Sequence, residues 1–420
     1  MFKILVNSWK VKEIRDKMLY TLLILAIVRL GAHIYLPGIS AATIKAYTDL
    51  NSTGTLYNII AGGAGSNYSI FALGIGPYIT SSIIMQLLCV AIPTLEQLSK
   101  EGEDGRQKIN KYTRYITVVL AALQGTGIAL NYKTMMTNPS TLKVVIAIIT
   151  LIAGSMFIMW LAEQITQKGI SNGSSMIIFV NIISSLPNAI TALVGYCKEG
   201  KTGILKTVGI LVLLFIVIVL IVKVNDGERR LPVQYANKMT GRRMGSGGNS
   251  SVFPIKVNTA GVISIIFAIS LIQFPETISG FISSVPGWLE KVIGILSMTH
   301  PVGAIIYVIL IFAFSFFYTS IVINPNEIAE NMKKNGGFIP GIRPGMPTAN
   351  YITRVVNRIT WVGAVCFAGL ALVPIVMQWI FKMNVGFGGT TLIIVVGVCL
   401  DIVKALESQL LMRHYKGFLD

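Results

Sequence analysis

Gly203-Ile204-Leu205-Lys206-Thr207-Val208-Gly209-Ile210-Leu211-Val212-Leu213-Leu214-Phe215-Ile216-Val217-Ile218-Val219-Leu220-Ile221-Val222-Lys223-Val224 decides the fold class. From Val208 to Val222 no side chain is polar. A bilayer core about 30 Å thick needs roughly 20 apolar residues per helix, and this run supplies them. A membrane β-strand would instead show in–out alternation over about ten residues. The stretch therefore reads as a membrane-spanning helix.

Outward from it, the same signature recurs near Met18–Leu36, Ser69–Ile92, Tyr112–Leu130, Leu142–Ala162, Ile170–Tyr196, Val257–Ile282, Val302–Ile323, Ile359–Phe381 and Gly389–Leu410. Over the whole chain 53% of residues are hydrophobic and 13% charged. A soluble domain carries about a quarter charged, so lipid must be the solvent for much of this surface. The first span has no small-residue cleavage site after it and ends at Pro37-Gly38, as a retained helix would. Cys89, Cys197, Cys366 and Cys399 lack pairing or metal spacing and read as structural thiols.

The net charge of +17 is distributed by loop. Alternate connections (the N-terminal tail, Pro93–Lys111, Glu163–Gly169, Asn225–Lys256, Asn324–Arg358 and the C-terminal tail) hold most of the basic residues. The others carry chiefly Lys45, Lys133, Lys198, Lys201, Lys291 and Lys382. The positive-inside rule then puts both termini in the cytoplasm. Ten spans divide into two sets of five, residues 1–200 and 201–420, and an odd number per set inverts the second against the first. Two cytoplasmic loops, 225–256 and 324–358, are longer than topology requires. The first has Arg229-Arg230, Arg242-Arg243 and a glycine-rich tip at Gly245; the second has Gly341-Ile342-Arg343-Pro344-Gly345. They read either as topology signals meeting anionic lipid, or as contacts for ribosomal RNA or an acidic soluble partner.

Ionisable groups at membrane depth are few. Arg29, Glu163, Asp401 and Glu407 lie toward span ends, which argues against ion-coupled transport. His33, His300 and His414 are far apart, and no phosphate-binding GxxxxGK loop is present, so no catalytic, cofactor or metal constellation emerges. Residues 55–67 are small-residue-rich, moderately apolar and too short to cross, which suggests a re-entrant segment or an external loop helix. Next, Ile75 and Ile79 share a helix face. Aliphatic side chains in a water-filled passage gate by dewetting and bind nothing specifically, which suits substrates of varied sequence.

Four stretches carry a family resemblance: Phe71 to Leu88, including Gly74-Ile75-Gly76-Pro77-Tyr78; Trp160-Leu161-Ala162-Glu163-Gln164 to Gly173; Gly341-Ile342-Arg343-Pro344-Gly345 to Ala349; and Gly388-Gly389-Thr390-Thr391 to Met412. The chain resembles the SecY family, the large channel subunits of the bacterial Sec translocon, along essentially its whole length. The resemblance implies an all-α membrane protein, with ten helices in two inverted five-helix halves closing like a clamshell around an hourglass pore. It implies no enzyme and no cofactor, but a passive conduit for unfolded polypeptides in the bacterial plasma membrane.

By the same resemblance, Ile75, Ile79, Ile178, Ile266 and Ile394 match pore-ring positions. The remaining ring position, aliphatic in the family, falls on Ser174, which leaves a fully apolar ring open, with Ile177 or Ile178 as neighbours able to close it. Leu56, Tyr57, Asn58, Ile59, Ile60, Ala61, Gly62, Gly63 and Ala64 match the plug that blocks the funnel from outside. Thr80 and Phe274 match positions facing across the lateral gate, through which signal sequences and membrane helices reach lipid. Arg343 matches an arginine that engages the SecA motor ATPase or the ribosome, with Arg242 and Arg243 in the second contact loop. Small subunits like SecE and SecG, nascent polypeptides and anionic lipids complete the implied partners. Sorting at such a gate is a partition, because a central charge costs about 2.5–3.5 kcal/mol while each Leu or Ile favours lipid by a few tenths. Two alternatives stand beside this reading: an inverted-repeat solute transporter, which needs a polar midplane site, and a non-conducting membrane scaffold.

Overall fold

The computed structural model describes residues 2–38, 69–132, 140–198, 201–235, 251–257, 262–279, 287–296, 300–381 and 389–416. A helix meets each of the ten expected spans. They are α2 (Lys12–Gly31), α3 (Gly76–Ala91), α5 (Glu103–Tyr132), α6 (Thr141–Lys168), α7 (Gly173–Cys197), α8 (Lys201–Asp226), α9 (Ile263–Ser279), α11 (Pro301–Val322), α13 (Met346–Phe381) and α14 (Gly389–Lys416). Four shorter helices join them: α1 (Phe2–Lys10), α4 (Pro93–Lys100), α10 (Gly287–Leu296) and α12 (Pro325–Lys334). Among the described residues, six helices are long and apolar enough to cross a membrane by themselves. A seventh span arises if α3 and α4, bent by 103° at Ile92, count as one. The bend has a local cause. Pro93 forces Ile92 into extended backbone (φ −110°, ψ 114°), and α4 restarts from there.

Packing follows two groups. In the first, α5 lies along both α3 and α6, α6 meets α7, and α2 rests on α6 and α7. In the second, α11 packs against α9 and α13, while α14 packs against α8 and α13. The groups touch where α7 meets α8 and α14, and again where α9 meets α3 and α5. One continuous apolar cluster runs through both, from Ile24 and Val28 through Ile158, Ile177 and Ile182 to Ile269, Tyr307, Phe367 and Ile393. Lipid-facing sides stay apolar and exposed, as Leu205, Phe215 and Ile305 show.

The basic-loop end differs from the loop-only expectation. The arms of the 225–256 connection form β1 (Glu228–Tyr235) and β2 (Ser251–Lys256), antiparallel from Glu228 opposite Lys256 to Val233 opposite Ser251. A third short strand, β3 (Gly337–Phe338), adds to the other edge of β1. Alternation explains β1, since Leu231 and Val233 point inward while Pro232 and Gln234 are exposed. With Ile255, Met332, Ile339, Ile352 and Val356 they form a separate core outside the spans. The stretch from Met346 to Arg358, read from sequence as loop, is the first part of α13. Its proline, Pro347, sits in the first turn, where a missing N–H costs nothing.

Two ties fix helix ends. Lys404 of α14 reaches Asp226 at the end of α8 (2.9 Å) and the Asn225 carbonyl (3.4 Å). Tyr35 and Ser69 pair in an isolated antiparallel bridge, and the Ile70 N–H donates to the Ile34 carbonyl at 2.9 Å. The chain therefore leaves and rejoins the described structure at adjacent points on either side of residues 39–68.

Candidate functional site

Where the first-group helices face α9, a cavity of about 1130 Å³ opens at the basic-loop end. Its apolar part is made by Ile79 of α3, Ile178 of α7, and Ile263, Ile266 and Phe267 of α9. Ile75 caps α3 at its start, and its carbonyl accepts the Ile79 N–H at 3.1 Å, so the two isoleucines lie one turn apart on one face. Ile75, Ile79, Ile178 and Ile394 are buried (1%, 9%, 3% and 2% exposed) in the same apolar cluster, and half-buried Ile266 packs against it. Ile79, Ile178 and Ile266 thus line one cavity from three helices, while Ile75 and Ile394 belong to the wider apolar cluster.

Ser174 lines the same cavity, but in the first turn of α7, one turn before Ile178. Its hydroxyl donates to Asn172 Oδ1 (2.7 Å), which also accepts the Ser174 N–H (3.0 Å). The serine is therefore engaged at a helix start, where an amide side chain satisfies an otherwise orphaned donor. Ile177, beside it, is fully buried.

The remaining wall is polar. Gln107 and Asn110 come from α5, Thr166 and Gln167 from α6, and Ser82 and Gln86 from α3. Sequence reading missed this wall, although Gln107, Asn110 and Arg114 recur at helical spacing along one face of α5. Arg114 and Glu163 form a two-pronged ion pair across α5 and α6, Nε to Oε1 at 2.9 Å and Nη2 to Oε2 at 2.7 Å. A bidentate guanidinium–carboxylate pair fixes orientation as well as attracting. Arg114 is half exposed, so the pair contributes at most about 1 kcal/mol, and its main effect is to hold the wall's shape. Nearby, the Ser81 hydroxyl donates to the Thr113 carbonyl at 2.6 Å and ties α3 to α5.

Thr80 sits on α3, where its hydroxyl bonds back to the Gly76 carbonyl (3.2 Å). Phe274 belongs to α9, the helix that α3 meets between the groups, just before the in-helix Pro275. The Phe274 side chain lies outside the described residues, as do all of Leu56 to Ala64, Arg242 and Arg243. Arg343 is exposed at the tip of a turn bounded by Gly341 (φ 82°) and Gly345 (φ 103°). Both angles are left-handed, which glycine adopts without a steric penalty. The Arg343 carbonyl accepts the buried Thr348 hydroxyl (2.9 Å), so the arginine projects from a braced turn. Among the described residues no cluster of His, Cys, Asp or Glu could hold a metal.

Comparison with known proteins agrees with this architecture. The family model described as SecY matches residues 69–403. The protein translocase subunit SecY of Streptomyces griseus is 43% identical over 440 residues, covering all of both chains. That of Aquifex aeolicus is 42% identical over 426 residues, covering 98% of each. Among solved structures, one described as a protein conducting channel superposes with a TM-score of 0.69 at 17% identity, covering 93% of this chain and 91% of the other. Sec61 in a canine ribosome-channel complex gives 0.65 at the same identity and coverage. On full-length identity, with a channel fold built around one isoleucine-floored cavity, the chain belongs to the SecY family of protein translocase subunits.

Proposed function

We propose that the cavity is the cytoplasmic vestibule of a polypeptide conduit and that Ile75, Ile79, Ile178, Ile266 and Ile394 form its constriction. The observation that carries this reading is their placement. Ile79, Ile178 and Ile266, from three helices, line one polar-walled cavity, and Ile75 and Ile394 are buried in the apolar cluster that these side chains join or pack against. Branched side chains can close around an extended chain without hydrogen-bonding it, and they exclude water and ions when it is gone. Ser174, which lines the same cavity one turn before Ile178, takes the remaining position of the ring.

In this reading residues 1–200 and 201–420 are the two inverted halves. The seam between α3 and α9, with Thr80 and Phe274, is the lateral gate, and residues 56–64 are the plug. The two packing groups and the meeting of α9 with α3 and α5 between them support it. In the same reading the vestibule and both termini face the cytoplasm and the membrane is a bacterial plasma membrane; the excess of Lys and Arg on alternate loops supports the orientation. Arg343, with Arg242 and Arg243, then engages a driving partner, either the SecA motor or the ribosome. The ribosome-bound Sec61 neighbour favours such docking. SecE- and SecG-like subunits and anionic lipid surround the assembled channel.

The test is cysteine crosslinking in vesicles with a secretory chain stalled partway. Probes at Ile79, Ile266 and Ile394 should all join to the stalled chain. If the probes react with a small reagent but none reaches an engaged chain, the conduit lies elsewhere.

A further inference from the structure

The chain as a whole carries 35 Lys and Arg against 18 Asp and Glu, close to two basic residues for each acidic one. The vestibule does not share that bias. Among the described residues its charged lining is Lys108, Lys111 and Arg114 against Glu103, Asp104 and Glu163, three of each sign, so their formal sum is zero. Five of the six lie on α5, and the sixth, Glu163, is locked to Arg114 from α6. That pair cancels where it stands. What remains is Glu103 and Asp104 in the first turn of α5, with Lys108 and Lys111 one and two turns further along the same helix. Lys108 also approaches Glu101, just outside the cavity, at 3.9 Å. Among the described residues the opposite wall, Ile263, Ile266 and Phe267 of α9, carries no charge.

We infer that this balance is a specificity device: it keeps the conduit indifferent to the charge of the chain passing through. The inference rests on the conduit reading above. A cleft with one low-dielectric wall focuses the field of any unbalanced charge on the other, and a potential of several kT follows from a few like charges. An extended polypeptide threads the vestibule within about one Debye length (about 8 Å at physiological salt) of α5, so screening does not remove the effect. With a net positive lining, a run of aspartates would dwell at the constriction; with a net negative lining, a run of lysines would. A secretory channel meets both kinds of run. Two carboxylates in the first turn of α5 and two lysines one and two turns on cancel at a distance and leave only a short-ranged field, whose attraction for one charge is offset by repulsion at the next. The carboxamides between them, Gln107 and Asn110, offer hydrogen bonds to any main chain and discriminate against no charge.

The experiment uses the assembled channel in vesicles with its driving partner and no membrane potential. Three secretory chains differ only in one short run: six lysines, six aspartates or six serines. The readout is the ratio of crossing half-times, lysine run over aspartate run, taken within each channel variant so that the amount of active channel cancels. E103Q/D104N leaves the lining positive and should lower the ratio about threefold or more. K108Q/K111Q leaves it negative and should raise the ratio by a similar factor. The quadruple variant is neutral again and should return the ratio to the wild-type value. Both shifts should shrink as salt rises. Unchanged ratios, or shifts of the same sign in both double variants, overturn the inference, and either double variant alone suffices because the expected signs are opposite. The serine-run chain separates the two readings. If it fails to crosslink at Ile79, Ile266 and Ile394, the conduit assignment falls; if it crosslinks while the ratios stay fixed, only the charge balance falls.

Discussion

At the scale of single residues, the isoleucine floor carries the most direct expectation. Ile394 is 2% exposed within a wholly apolar cluster, so Ile394→Asn buries an amide with no partner, at a cost of about 1–3 kcal/mol to the closed arrangement. Ile79→Asn borders the cavity and should act the same way more weakly. Both should raise ion leak through idle channels several-fold and let defective signal sequences pass, measured by vesicle conductance and export of a signal-mutant reporter. Unaltered leak and stringency in both variants would place the seal elsewhere. Arg343 makes the opposite kind of claim. It is exposed and its turn is braced through its carbonyl, so Arg343→Glu should leave the melting temperature unchanged while secretion falls about tenfold or more. Normal secretion would remove Arg343 from the contact.

At the scale of elements, close backbone approaches rather than ion pairs set the geometry. A Cβ on Gly154 of α6 would strike the Ile70 carbonyl, and the Phe71 ring lies 3.3 Å away. Gly154→Val should therefore push α6 from the turn that leads into α3 and destabilise the first helix group by about 1–3 kcal/mol. A lowered unfolding midpoint in detergent is the expected outcome, and an unchanged one would mean the turn yields freely. The seam between α3 and α9 is the complementary case, because there helices of the two groups meet. Cysteines replacing Thr80 and Phe274 should form a reducible bridge that blocks release of membrane segments, with recovery on reduction. Release at the normal rate through an oxidised channel would move the gate to another seam.

At the scale of the whole molecule, the protein is a membrane channel subunit and not an enzyme, and much of that is legible in the sequence. Runs such as Val208–Val222 announce helices because lipid leaves an unpaired backbone group no alternative partner. Ile75 and Ile79 are readable as neighbours because one helical turn joins them. That Ile178 and Ile266 line the same cavity as Ile79 is not, since nothing local encodes a meeting of three helices, and only the resemblance suggests it. The Arg114–Glu163 and Lys404–Asp226 pairs are hidden for the same reason, their partners being 49 and 178 positions apart. The small sheet was legible but unread. Leu231 and Val233 stand two apart between Arg230 and Gln234, a weak signal beside the charges that made 225–256 look like loop alone.

Helix α13 runs unbroken for 36 residues, roughly 54 Å, nearly twice the bilayer core. Its first turns, with Ile352 and Val356, belong to the core under the small sheet, and its later turns, with Phe367, Ala371 and Ile375, belong to the core of the spans. The Arg343 turn sits at its foot. One helix shared by two packed cores couples them, so on the contact proposed at Arg343 a load applied outside the membrane reaches the core of the spans along a single continuous backbone.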